Sequence, residues 1–267
     1  MPADLRRQAR AVLSASDVDE KLRLLERLRD TLSIDAEVDT GLVFEDCLLP
    51  GRPEKPFLVE PKFLAKRSLS KPEGRAALLH AVAHIEFNAI NLACDAVQRF
   101  SRMPAEYYRD WISVAVDEGR HFELLQARLN ALGYRYGDFE AHDGLWEMAE
   151  RTKHSCLERM ALVPRLLEAR GLDVTPGMIE KLRQAADDES ITILEVILVE
   201  EIRHVAIGSR WFAYCCKQEG KDPEREFVAL LQTIGRGALR GPFNRQARLD
   251  SGFSLFELEQ ISRLGGN

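Results

Sequence analysis

The sequence predicts an all-α protein, a four-helix bundle with an N-terminal helical arm and a C-terminal helical tail. Three observations lead to this fold class. Apolar residues recur at helical spacing over long stretches, no segment of any length alternates in the manner of a β-strand, and the motif Glu-x-x-His occurs twice, at Glu118–His121 and Glu201–His204. We therefore divide the chain into an arm with its connector (residues 1–72), a bundle (residues 73–219) and a tail (residues 220–267).

Composition limits the classes of protein to which the chain can belong. Hydrophobic residues make up 45% of it, which is enough for a sizeable core, and the net charge of −6 argues against a protein that coats nucleic acid, without excluding a local basic groove. No apolar run reaches about 18 residues, so we expect no membrane span. The N-terminus lacks the apolar segment of a signal peptide, and the five cysteines form no Cys-x-x-Cys, so we expect a cytoplasmic protein.

The arm and the connector differ in composition. Residues 3–33 predict two amphipathic helices, because leucines recur near helical spacing with charged residues between them. Residues 34–72 contain five prolines and predict an extended connector. These prolines are Pro50, Pro53, Pro56, Pro61 and Pro72.

Four long helices are predicted in the bundle, over residues 73–102, 104–132, 145–170 and 191–218. Asp143 is a candidate N-cap for the third of them. Gly171–Gly177, which contains Pro176, predicts a break or kink, after which residues 178–186 are again helical and residues 187–190 form a turn. The tail predicts one helix over residues 223–236, an arginine-rich loop and a short final helix.

Each Glu-x-x-His places a carboxylate and an imidazole on one face of its helix, since residues i and i+3 are neighbours there. Glu86 precedes Glu118 by 32 residues, and a turn near residue 103 puts the two carboxylates nearly level. Upstream of Glu201 there are two candidates. Glu168 precedes it by 33 residues and allows the turn to fall at residues 187–188, whereas Glu158 would put the turn inside a good helix former. We favour Glu168.

Ionisable residues on an otherwise apolar stripe are costly unless they are paired or bound to a metal. Two close carboxylates raise each other's pKa, and a dication removes that penalty. A single Glu-x-x-His is a weak signal, because one copy is expected by chance in a helical protein of this size. The two copies, each with an upstream glutamate at matched spacing, together predict a site for two metal ions.

Several other polar residues allow two interpretations. His80 and His84 could together ligate one metal or could form hydrogen bonds in the core, and we favour the second. Arg120 and Arg203, inside the two motifs, could pair with carboxylates or be surface charge. The tail arginines could bind an anionic substrate, or they could be solvated or form intramolecular salt bridges, which we favour. They are Arg236, Arg240, Arg245 and Arg248.

At these residues the chain resembles the ferritin-like superfamily, and more closely a bacterial ferritin-like family catalogued as domain of unknown function 455. The second resemblance covers nearly the whole chain. A more distant likeness is to the tRNA-isopentenyladenosine hydroxylase family of di-iron enzymes, whose pattern does not include this connector and tail; that puts tRNA in doubt as a partner. The closer resemblance is carried by residues 80–86, 117–122, 141–146, 168–173, 201–212 and 242–248. The distant one is carried by Glu86, by Glu118 and His121 with Phe122, and by Glu168–Arg170.

The resemblance implies two iron ions, with manganese or a mixed Fe/Mn pair as alternatives. Glu118 and Glu201 would bridge, Glu86 and Glu168 would be terminal ligands, and one histidine would bind each metal. These histidines are His121 and His204.

The expected activity is O2-dependent oxidation or hydroxylation of an unidentified organic substrate, a small molecule or modified nucleotide, with an electron donor. The sequence leaves a homodimer open. The alternatives are a ferroxidase or metal-handling protein, and a metal-free helical scaffold.

Overall fold

The computed structural model describes residues 4–34, 36–65, 68–235, 237 and 239–265. In these residues the chain is helical apart from its connecting segments, with a 3₁₀ turn at Pro61–Phe63 and an isolated β-bridge between Leu58 and Ala141. The predicted all-α class is therefore confirmed. The α-helices are α1 (Leu5–Ser14), α2 (Val18–Ser33), α3 (Pro72–Arg99), α4 (Ala105–Ala131), α5 (Gly144–Arg151), α6 (Cys156–Leu162), α7 (Ala169–Gln184), α8 (Asp188–Gln218), α9 (Pro223–Thr233), α10 (Arg245–Asp250) and α11 (Leu255–Gly265).

The chain forms two compact units, Met1–Trp146 and Glu147–Asn267. The first contains α1 to α4, the second contains α6 to α11, and α5 begins in the first and ends in the second. This division concerns compactness alone, so the boundaries after residues 72 and 219 stay predictions.

In the first unit, α3 packs along α4, α1 packs on α3, and α2 packs on α4. Two buried cations fix the N-terminal helices in place. The guanidinium of Arg6 donates hydrogen bonds to the carbonyl oxygens of Val97, Asp39 and Leu42. The ammonium of Lys21 donates to two carbonyls at the end of α1 and to Oδ1 of Asn91 on α3 at 2.8 Å. Backbone carbonyls thus satisfy most of the charge that is buried here.

The described part of the connector is extended, as predicted, and polar residues of α3 hold it. The amide of Gln98 donates to the carbonyl of Leu48 at 2.9 Å and its oxygen accepts from the same residue's N–H at 3.2 Å. Further along, the N–H of Val59 donates to the carbonyl of Ala141. Proline has no backbone N–H, so a proline-rich segment cannot form the regular series of hydrogen bonds of a β-strand. Side-chain hydrogen bonds and isolated backbone hydrogen bonds hold the connector instead.

The prediction of one unbroken third helix over residues 145–170 is wrong. The helix stops at Arg151 and starts again at Cys156, where the hydroxyl of Ser155 accepts a hydrogen bond from the N–H of Glu158 at 3.2 Å. The side chain of Arg159 then donates to the carbonyl of Ala149 at 2.7 Å. A capping serine and a buried arginine therefore satisfy the backbone groups exposed by the break.

At Gly171–Gly177, where a break or kink is predicted, the helix does not break, because α7 continues through Pro176 to Gln184. The irregularity lies earlier, in a π-helical segment at Val163–Glu168 that contains Pro164. Proline lacks an N–H and its ring clashes with the carbonyl four residues before it, so the helix widens there. At Pro176 the buried side chains of α7 pack against α8 and outweigh the lost hydrogen bond.

The predicted turn before the fourth bundle helix is confirmed. The carboxylate of Asp187 accepts a hydrogen bond from the N–H of Ser190 at 3.2 Å and caps α8, which starts at Asp188. The carboxylates of the first turn of α8 lie at the positive end of the helix dipole, which adds to the cap.

Buried ion pairs join the tail helices to the rest of the second unit. Arg165 of the π-helical segment donates two hydrogen bonds to Glu257 of α11, at 2.8 and 2.9 Å. Arg248 of α10 likewise donates two to Asp173 of α7. Arg248 therefore makes the intramolecular salt bridge that we favoured, whereas Arg236 lies outside the described residues.

One helix among the described residues, α3, is long and apolar enough to cross a membrane, and 78% of its most apolar window is buried within the protein. Burial to this extent is typical of a core helix in a soluble protein. Asparagine and histidine side chains interrupt its apolar residues, which is why no uninterrupted run reaches membrane length in the sequence.

Candidate metal centre

In the first unit, three sequence-predicted ligands come together between α3 and α4. They are Glu86, Glu118 and His121, all buried, and one ligand atom of each lies within 4.8 Å of the others. Nδ1 of His121 is 3.3 Å from Oε2 of Glu118 and 3.4 Å from Oε2 of Glu86. Two carboxylates and one imidazole on a common point form a ligand set suited to iron or manganese.

Burial and the close approach of two carboxylates dominate the electrostatics of this cluster. Burial, and then the neighbouring carboxylate of Glu118, raises the pKa of Glu86 well above its usual range. Burial alone would lower the pKa of His121, but its hydrogen bonds to Glu118 and Glu86 outweigh this and raise that pKa to about 11. A metal ion would displace the imidazole proton and screen the two carboxylates from each other.

The second unit repeats the geometry of the Glu-x-x-His motif. Nδ1 of His204 lies 3.1 Å from Oε2 of Glu201, the imidazole is fully buried, and the glutamate side chain is 12% exposed. In both motifs the same nitrogen, Nδ1, faces the carboxylate. The i, i+3 spacing on a helix accounts for this agreement, and Nδ1 would be the metal-binding atom in both.

Glu168 is the last residue of the π-helical segment and is buried. A β-carbon placed on Gly171, three residues further on, would lie 3.8 Å from Cγ of Glu201. The start of α7 therefore runs alongside the motif of α8, on the face that Glu168 shares with Gly171. Glu158 lies instead in the first turn of α6, half-buried, with Oε2 3.2 Å from Nε2 of the exposed His154.

The remaining sequence-predicted residues lie elsewhere. His80 and His84 bond to the loop after α4: Nε2 of His80 accepts from the N–H of Gly137 at 2.9 Å, and Nδ1 of His84 lies 2.8 Å from the hydroxyl oxygen of Tyr136. Arg120 and Arg203 lie on exposed faces of α4 and α8.

The sequence analysis missed a stripe of buried polar side chains along α3. Two of its members join α3 to other segments: Asn91 binds Lys21 of α2, and Gln98 binds the connector. Asp95 instead accepts hydrogen bonds from Arg99 within α3. The signal that could have revealed them is their helical spacing within an apolar helix. The stripe comprises Asn88, Asn91, Asp95 and Gln98.

Comparisons with known proteins identify relatives without a described activity. The family model described as "Protein of unknown function (DUF455)" matches residues 14–259. A protein of Haemophilus influenzae, described only as uncharacterized, is 44% identical over 265 residues, which is 95% of this chain and 92% of that protein. No solved structure matches the chain.

Proposed function

The chain belongs to the DUF455 family, and we propose that it is a ferritin-like di-metal carboxylate protein, an O2-dependent oxidase or hydroxylase of an organic substrate. The observation that carries the proposal is the buried cluster of Glu86, Glu118 and His121. Burial and mutual repulsion destabilise the two neighbouring carboxylates of that cluster, and a bound dication would offset this cost. The distant likeness to a di-iron hydroxylase family supports the same class of chemistry.

The proposal gives each unit the ligand set for one metal ion. In the first unit the ligands are Glu86, Glu118 and His121; in the second they are Glu168, Glu201 and His204. The bridging roles of Glu118 and Glu201 stay predictions from the sequence. The burial of Glu168 and the contact of Glu158 with the exposed His154 support Glu168, rather than Glu158, as the glutamate upstream of the second motif.

Iron(II) bound by these residues would supply the electrons and the open coordination positions that oxidases and hydroxylases use to react with O2. The chain's own residues have three tasks. The carboxylates hold and balance the charge of the metals, the imidazoles fix the ligand geometry through Nδ1, and the surrounding apolar side chains exclude water. An external electron donor completes the stoichiometry for a hydroxylase, and the free cysteines favour the reducing cytoplasm.

The deciding experiment measures metal content and O2 use together. Protein purified without chelator and loaded anaerobically with Fe(II) is expected to hold about two metal ions per chain. Glu118→Gln and Glu201→Gln should each lose at least about one of them, because a neutral amide is a poor ligand for these metals. Exposed glutamates on the same two helices serve as controls, and Glu123→Gln and Glu195→Gln should keep the full content.

The outcomes separate the three classes of function. Less than about 0.2 metal per chain, with unchanged folding in both ligand variants, would support the metal-free scaffold. Rapid O2 use with continued oxidation of excess Fe(II) would support a ferroxidase. O2 use that stops after the bound metal is oxidised and resumes with a reductant is the result expected for an oxidase or hydroxylase.

A further inference from the structure

A cavity of about 240 Å³ lies in the first unit between the connector, α3 and the loop after α4. At about 30 Å³ per water molecule it has room for roughly eight waters, which matches a single substituted aromatic ring. None of the six candidate metal ligands lines it. Its lining residues include Arg52, Phe57, His84, Phe87, Asn88 and Tyr136.

Contacts on several sides hold the walls of the cavity. Arg52 donates two hydrogen bonds to Asp143, at 2.7 and 2.8 Å. The N–H of Ala141 donates to the carbonyl of Phe57 at 3.0 Å. The N–H of Gly137 donates to Nε2 of His80. These contacts tie the connector and the loop to each other and the loop to α3, so the cavity is largely preformed.

The hydrogen bonds of Asn88 fix the protons at the cavity wall. Nδ2 of Asn88 lies 3.0 Å from the carbonyl oxygen of His84 and 2.9 Å from its Nε2. A carbonyl only accepts, so the amide nitrogen is assigned without ambiguity, and its second proton goes to Nε2. The acceptor of the amide, Oδ1, is left for another partner.

The same reasoning extends to the tyrosine. Because Nε2 of His84 accepts, its neutral ring carries the proton on Nδ1 and donates it to the hydroxyl oxygen of Tyr136, 2.8 Å away. Burial raises the pKa of Tyr136, which keeps the phenol protonated. The phenol proton is then available to a ligand.

The charged residues that line the cavity are Arg52 and Glu54. The guanidinium of Arg52 is balanced by the carboxylate of Asp143, and the other carboxylate at the wall, that of Glu54, is exposed. The faces of Phe57 and Phe87 supply apolar surface for a flat molecule. The site therefore offers aromatic walls, one donor and one acceptor.

We propose that this cavity binds a small uncharged aromatic molecule whose edge carries an acceptor for the Tyr136 hydroxyl and a donor for Oδ1 of Asn88. An aryl amide has this arrangement, with its carbonyl towards the tyrosine and its NH2 towards the asparagine. The proposal does not depend on the metal centre, because none of the cavity residues is a candidate ligand.

The test uses the full chain without metal and three probes of similar shape: benzamide, benzoate and toluene. Titrations followed by calorimetry or by ligand-observed NMR are expected to show saturable binding of benzamide at one site. Benzoate should bind at least about tenfold more weakly, because the guanidinium of Arg52, the cation that lines the cavity, is already paired with Asp143. Toluene should also bind more weakly, since it leaves the two polar groups unpaired.

Two pairs of variants locate the site. Tyr136→Phe should weaken benzamide binding about tenfold, the value of one lost hydrogen bond to a buried partner, while Tyr134→Phe, two residues away and outside the cavity wall, should not change it. Phe57→Ser should also weaken binding, and Phe63→Ser is its control, since both phenylalanines lie on the connector and are 63% exposed. The exposed positions keep this pair informative if a buried substitution prevents folding.

Three results would overturn the proposal. These are no saturable binding of benzamide, tighter binding of benzoate than of benzamide, and equal affinities of wild type, Tyr136→Phe and Phe57→Ser. Because the protein is metal-free throughout, a failure of benzamide binding would not contradict the proposed metal centre. Failure of the metal-binding experiment would likewise not contradict the proposed ligand site in the cavity.

Discussion

Oε2 of Glu118 and Nδ1 of His121 lie 3.3 Å apart, one turn from each other on α4, and neither residue is more than 1% exposed. The carboxylate of Glu86 approaches the same imidazole nitrogen from α3. A structural ion pair would need one carboxylate here, whereas two leave a repulsion that a metal ion relieves. The relationship between these residues therefore leads to a prediction about stability as well as about metal content.

Replacing Glu86 by glutamine should reduce metal binding while leaving the stability of the metal-free protein nearly unchanged. Burial raises the pKa of Glu86 and so favours its uncharged form in the metal-free protein, and glutamine has nearly the same shape, so the free energy of unfolding should change by less than about 1 kcal/mol. Bound metal should fall, because the ligand oxygen is no longer anionic. The measurements are urea unfolding of the metal-free protein and metal analysis of the loaded protein. A loss of several kcal/mol with unchanged metal content would identify Glu86 as a structural partner of His121.

His84 should make the protein sensitive to mild acid. Its folded pKa of about 4 lies below the ordinary 6.5, because burial disfavours the charged ring and His80 adds to this. Between those values the unfolded chain binds more protons, so stability falls as pH falls, by about 2 kcal/mol between pH 7.5 and 5. The charge of Arg52 lowers the pKa of His84 further, whereas a hydrogen bond with the backbone of His142 raises it by less than burial lowers it.

The variant His84→Gln should lack this share of the pH dependence. Its unfolding free energy should drop by about 2 kcal/mol less than that of the wild type over the same interval. Urea unfolding at both pH values, for both proteins, gives the four free energies that are needed. Parallel losses in the two proteins would mean that His84 titrates normally in the folded state.

Gly208 allows α8 to approach the π-helical segment. A β-carbon at this position would lie 2.5 Å from Cβ of Pro164, a rigid ring that cannot rotate away. Gly208→Ala should therefore destabilise the protein by about 1–3 kcal/mol, less the gain in helix propensity. Gly177→Ala in α7 is the matched control: nothing lies within 4 Å, so about 0.5–1 kcal/mol of stabilisation is expected. Equal stabilities of the two variants would contradict the close contact.

Replacing one partner of the ion pair between Arg165 and Glu257 should destabilise the protein strongly, whereas replacing both partners should destabilise it much less. Arg165→Met leaves a carboxylate buried without its partner, for a loss of about 3–5 kcal/mol, while adding Glu257→Leu should recover most of it. Arg183→Met, which breaks the exposed pair with Glu180, should change stability by about 0.5 kcal/mol or less. If the double variant were no more stable than Arg165→Met, the loss would have to come from the aromatic packing of the guanidinium.

Local signals in the sequence were sufficient for most helix ends. The turn before α8 follows from Asp187 and its neighbours, since a capping carboxylate satisfies backbone donors wherever the chain goes next. Ser155 followed by Glu158 is a signal of the same kind, and it marks the start of α6 that our reading of an unbroken helix overlooked. Pro176 shows the limit of such reasoning, because proline disfavours a helix interior and α7 nevertheless continues through it.

The sequence by itself determined the all-α class, the spacing of the two Glu-x-x-His motifs and the ligand types, because helical periodicity and i, i+3 geometry are local properties of the chain. Only the tertiary structure decided that α7 runs through Pro176, that Arg6 and Lys21 are buried, and that Asn88, His84 and Tyr136 form one network at a cavity. These outcomes depend on packing and hydrogen bonds between residues far apart in the chain, whose free energies exceed the local preferences that a sequence displays.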